Sequence, residues 1–134
     1  MKFEDMPNLD ELECDMKAVS WHLDKVSENC PLTEKPPKSD QLHFVCEPVD
    51  LDWKRQNIWI LISKKKDSSF YLWTEKFVEL NIIPKEDVRK AKDSYELAKF
   101  LGDSWVKSKK ILHCKKMKIG RSSKPNWFPV SVVD

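Results

Sequence analysis

The chain has 134 residues, 34% of them charged and 40% hydrophobic, with 2 glycines and a formal net charge of +2; this is the size and composition of one globular domain. So few glycines exclude the glycine-rich phosphate loops of nucleotide-binding folds, which need glycine at fixed offsets. The longest apolar run, Ile58 to Ile62, is far short of the roughly 20 residues of a membrane-spanning helix, so no membrane association is expected.

Leu9, Leu12, Met16, Val19, Leu23 and Val26 recur at spacings of three and four, which predicts an amphipathic helix over 8–28, capped by Asn8 with Glu11 three residues on. Cys14, Ala18 and Trp21 fall on its opposite side, which is either a partner-docking face or covered within the domain. Pro31, Pro36 and Pro37 mark residues 30–41 as an extended connector. Leu42 to Glu47 alternates like a strand, and Ile58 to Ser63 reads as a buried central strand. The polar run Lys64 to Ser69 separates it from β-prone Phe70-Tyr71-Leu72-Trp73, which predicts a hairpin with a basic tip. Glu75 to Leu80 suits a short helix, Pro84 opens another over about 85–92, and Asp93 with Glu96 caps a third from 94 to about 107. The tail predicts two strands, from Ile111 through Ile119 and from Trp127 to Val133, joined by a basic loop. The expected architecture is a single α+β domain over 1–134: an N-terminal amphipathic helix (1–29), a proline-rich connector (30–41) and a core (42–134). That core is a small, mostly antiparallel sheet of four to five strands with helices inserted between strands three and four.

The start of the chain shows neither a basic nor an apolar leader, so an intracellular setting is expected. There the irregularly spaced Cys14, Cys30, Cys46 and Cys114 are thiols with no disulfide between them. His43 and Cys46 have the residue types of a zinc site, as do His113 and Cys114. On a strand, however, positions an odd three apart point to opposite faces and cannot share one ion. No metal, cofactor or small-molecule substrate is expected, and no Cys or Ser is singled out beside a His and an orienting group, so the chain reads as non-enzymatic.

The net charge conceals a polar distribution: residues 1–52 hold 5 Lys against 13 Asp and Glu, and residues 53–134 hold 19 Lys and Arg against 9 Asp and Glu. From Trp105 to Val133 there are eight cations, Lys107, Lys109, Lys110, Lys115, Lys116, Lys118, Arg121 and Lys124, and no acid. Such a segment either lies against the acidic half of the same molecule or contacts a polyanion. Trp127, after Pro125-Asn126, can stack on bases or sugars, and Trp53, between Asp52 and Lys54, can serve a surface. The stretch Leu97 to Leu112 resembles a helix-turn-helix element, with Ala98 as the crossing residue, Gly102 as the turn glycine and Ile111 facing inward from the second helix. Asp103 and Ser108 stand where that motif has apolar residues. The resemblance implies a second helix that enters the DNA major groove.

The functional expectation is a nucleic-acid-binding or nucleic-acid-associated module of an intracellular assembly, nuclear rather than cytoplasmic. It would contact the phosphates of DNA or RNA through residues 105–133. The alternative is a protein–protein interaction adaptor, docking through the N-terminal helix with Cys14, Ala18 and Trp21, and through Trp53.

Overall fold

The computed structural model describes residues 12–24, 41–49, 54–120 and 124–133. In chain order these form β1 (Glu13–Asp24), β2 (Gln41–Pro48), β3 (Gln56–Leu61), α1 (Ser69–Glu79), α2 (Lys85–Lys90), α3 (Ser94–Ser108), β4 (Ile111–Met117) and β5 (Asn126–Val133). The strands make one sheet in the order β3-β2-β1-β4-β5, and every neighbouring pair is antiparallel. The fold is therefore α+β, with its helices between the third and fourth strands. The fourth strand returns to lie beside the first, which is Greek-key connectivity.

Strand β1 occupies the place where an N-terminal helix was expected. Its first half, Glu13 to Lys17, pairs with β4, and Met16 to Asp24 pairs with β2. The register shifts between Ala18 and Ser20, so Val19 is the extra residue of a β-bulge. Before the bulge Cys14, Met16 and Ala18 turn inward; after it Trp21 and Leu23 pack toward the core. Two strand-like runs separated by a change of parity mimic a spacing of threes and fours, which is why the pattern reads as a helix. The rest of the expected helix (1–11 and 25–29) and the connector up to residue 40 lie outside the described residues.

Helix α1 replaces the strand expected at Phe70 to Trp73. Ser68 caps it, its hydroxyl oxygen accepting from the Tyr71 amide at 3.2 Å, and Phe70, Trp73, Thr74 and Phe77 form its buried stripe. Helix α3 repeats that spacing with Ala98, Leu101, Gly102 and Trp105, behind an Asp93 cap on the Glu96 amide. It runs unbroken through Gly102, so the turn of a helix-turn-helix element does not form there. The glycine answers a packing demand instead: a Cβ at Gly102 would sit 2.5 Å from the Trp21 ring.

Both helices lie on the inner face of the sheet, where Leu42, Phe44 and Cys46 of β2 are buried. Phe44 is the centre of an aromatic cluster: its ring lies 4.8 Å from Trp105, 6.0 Å from Trp73 and 6.3 Å from Phe77, and Trp73 also meets Phe128 of β5 at 5.8 Å. Four elements are tied together by edge-to-face and offset contacts, each adding about 0.5–1.5 kcal/mol to the area buried. The expected central strand, β3, is in fact an edge. The two edges approach one another, since the Asn126 side-chain amide of β5 donates to the Trp59 carbonyl of β3 at 3.0 Å.

Candidate functional site

The basic segment does not form one surface. Strand β4 separates the cations at its two ends by about 20 Å, from the rise of a seven-residue strand. At the start, Lys107 pairs with Asp103 at 3.7 Å, Lys109 ends α3 in the left-handed region with φ 57°, and the Lys110 ammonium donates to the Asn81 carbonyl at 3.2 Å. In the middle, Lys115 pairs with Glu13 at 3.7 Å and Lys116 lies 5.8 Å over the Trp127 ring. Acidic β1 thus neutralises part of β4, the first of the two possibilities that the charge distribution raised. Trp127 is 3% exposed, so its faces offer no stacking surface. Arg121 and Trp53 lie outside the described residues.

At the far end of β4 the picture changes. Lys118 and Lys124 are exposed in the turn between β4 and β5, and this turn packs on the loop between β3 and α1, which carries the exposed Lys64, Lys65 and Lys66. Gly120, at φ 57°, is pressed so closely on that loop that a Cβ there would collide with the Asp67 carbonyl oxygen. The Ser69 hydroxyl donates to the Ile119 carbonyl at 3.3 Å. Ser68 stiffens the basic loop itself: its hydroxyl donates to the Lys65 carbonyl at 2.6 Å while capping α1. Five cations from two loops about 50 residues apart are thereby brought to one end of the sheet.

The outer face of the sheet carries two organised rows. In one, His22, His43 and Trp59 stand in register across β1, β2 and β3, with His43 stacked on Trp59 at 4.7 Å. In the other, Asp15, His113 and Ser131 are aligned across β1, β4 and β5. His113 Nδ1 lies 2.6 Å from Asp15 Oδ1 and Nε2 lies 3.9 Å from Glu13 Oε1, so both ring nitrogens face carboxylates of β1.

The expected docking residues are used internally. Cys14 is fully buried and Ala18 nearly so, while the Trp21 indole packs on Gly102 and its N–H donates to Asp103 at 3.0 Å. Cys46 and His43 do point to opposite faces of β2. Cys14, Cys46 and Cys114 are thiols in the core. Burial, then the neighbouring Cys14, pushes the Cys46 thiol far above its ordinary value; burial, then Cys46, Cys14 and Asp15, does the same to Cys114. They are protonated, unreactive groups at neutral pH. Among the described residues no three of His, Cys, Asp and Glu are placed to hold a metal ion, and no helix is long and apolar enough to cross a membrane. A cleft of about 270 Å³ between α1 and α2, lined by Tyr71, Thr74, Val78 and Val88 among others, uses none of the residues singled out in the sequence.

Comparison of the chain with protein-family models, characterised proteins and solved structures finds no match in any of the three.

Two features are hidden in the sequence. Lys64 to Lys66 are visible there as a basic tip, but nothing local shows that the tip meets Gly120. Trp59 sits inside an apolar run that hides its outward alternation on β3.

Proposed function

We propose that the protein is a non-enzymatic nucleic-acid-binding module of an intracellular, nucleic-acid-associated assembly. It contacts the phosphate backbone with Lys64, Lys65 and Lys66 from one loop and Lys118 from the other. The observation that carries this reading is the seating of Gly120 on Asp67, which holds two lysine-bearing loops together. Gathering like charges costs free energy through mutual repulsion, and a polyanion offsets it by releasing its own counterions. The lysines farther along β4 contribute little, because Lys115 already faces Glu13.

Fluorescence anisotropy titrations of a labelled oligonucleotide at several salt concentrations test the proposal. Removing one lysine–phosphate pair lowers the slope of log K against log salt by about 0.7–0.9, so Lys66→Ala with Lys118→Ala should lower it by roughly 1.5. Lys107→Ala with Lys109→Ala, at the other end of β4, should leave the slope unchanged. A wild-type protein with no measurable affinity at physiological salt refutes the proposal.

A further inference from the structure

Trp59 is 46% exposed although its neighbours Ile58 and Ile60 are buried, because strand alternation turns it away from the helices. One indole face lies on the His43 ring, with centroids 4.7 Å apart and planes 17° from parallel. The imidazole is itself anchored at both nitrogens, Nδ1 2.8 Å from Asp24 Oδ2 and Nε2 2.8 Å from Asn57 Oδ1. A solitary surface indole moves among rotamers and loses that freedom when a ligand orders it. Here a fixed imidazole has ordered the ring in advance, and the exposed area belongs to its edge and other face.

The position of this ring matters as much as its orientation. Strand β3 runs on from Trp59 directly into the loop of Lys64 to Lys66, and the Trp59 carbonyl accepts from Asn126, two residues beyond Lys124. An aromatic plate on the strand that leads into clustered lysines matches a chain that alternates flat bases with phosphates. In a duplex the base faces are stacked on one another and closed to such a plate, whereas an unpaired base has a face to offer. Resting on the nucleic-acid reading above, we infer that Trp59, backed by His43, stacks on an unpaired base, and that the ligand is a single strand rather than a duplex. The lysines beside the plate favour this polyanion over an apolar peptide or a second copy of the chain.

The test compares wild type, Trp59→Ala and Trp59→Phe with a labelled single strand of about 20 nucleotides and a hairpin duplex of equal phosphate number, at several salt concentrations. Wild type should prefer the single strand. Trp59→Ala should weaken single-strand binding about ten-fold or more, the effect of unstacking one base, without changing the salt slope or the duplex affinity. Trp59→Phe should recover most of the affinity, which a merely structural role of the indole would not produce. Equal affinity of wild type for the two ligands, an equal weakening of both, or no weakening overturns the inference while leaving the lysine–phosphate pairing standing. Binding of neither ligand by wild type overturns both readings. Self-association of wild type that Trp59→Ala abolishes, measured by sedimentation, places a second copy on this face and also overturns the inference.

Discussion

Two buried tryptophans differ in the treatment of their one polar atom. The Trp105 indole N–H donates to the Lys110 carbonyl at 3.1 Å, joining the end of α3 to the start of β4. The Trp73 N–H has no hydrogen-bond partner among the described residues, although the ring is packed within the aromatic cluster. An unsatisfied buried donor costs about 1–3 kcal/mol, and a satisfied one contributes about 1 kcal/mol. Both Trp→Phe substitutions remove similar volume, but Trp73→Phe also removes the unsatisfied group, while Trp105→Phe leaves a carbonyl without its donor. Trp105→Phe should therefore be the more destabilising by about 2 kcal/mol in urea unfolding; equal destabilisation would show that the Trp73 N–H is satisfied after all. Neither fate is readable from the sequence, where Trp73 ends a β-prone apolar run and Trp105 closes a helical stripe. The same limit applies to Trp59 and Trp127: local pattern suggests the first is buried and the second exposed, whereas β3 turns Trp59 to the outer face and β5 turns Trp127 into the core.

At the scale of elements, legibility followed regularity. Helix α3 was visible because Asp93 caps it and its stripe keeps one period from end to end. The strands after it were visible because nothing interrupts Leu112 and Cys114. Strand β1 was lost to a single extra residue, Val19, and α1 to a run of aromatics whose helical period shows only when Thr74 and Phe77 are read with them. Helix α3 also carries the sharpest test of packing. Alanine in place of glycine inside a helix ordinarily gains about 1 kcal/mol, yet at Gly102 the new methyl group meets the Trp21 ring at 2.5 Å. Overpacking of that kind costs about 1–3 kcal/mol or more. Gly102→Ala should thus destabilise the protein by about 1 kcal/mol or more in chemical denaturation. In a Trp21→Leu background the same substitution should become neutral or stabilising, because the clash and the gain are separable in a double-mutant cycle. A penalty that persists without the indole would locate the constraint elsewhere.

The whole molecule is held by contacts between distant parts, and the candidate site shares that property. Its two loops are about 50 residues apart, so the composition of each was plain while their meeting was not. The thiols of Cys46 and Cys114 lie in the one core on strands either side of β1, and both are held in the protonated form by burial. Their folded values stand above the unfolded one near 9. The stability they contribute is complete below that pH and falls as pH rises, because only the unfolded chain then gains from ionisation. One unit above the unfolded value the decrease should be on the order of 1 kcal/mol per thiol. Unfolding midpoints measured from pH 7 to 10.5 should fall for wild type and fall less steeply for Cys46→Ala with Cys114→Ala; parallel curves would assign the alkaline decrease to other groups.

Strand β1 is the seam between the two halves of the sheet, and this has a consequence for the nascent chain. Asp15 meets His113 across 98 positions of sequence, so during synthesis β1 can pair with β2 long before β4 leaves the ribosome. Throughout that interval one edge of β1, with Cys14 and Met16 beside it, presents unpaired backbone groups and apolar side chains. Quality control of this protein has its critical window there, before the fourth strand closes the seam.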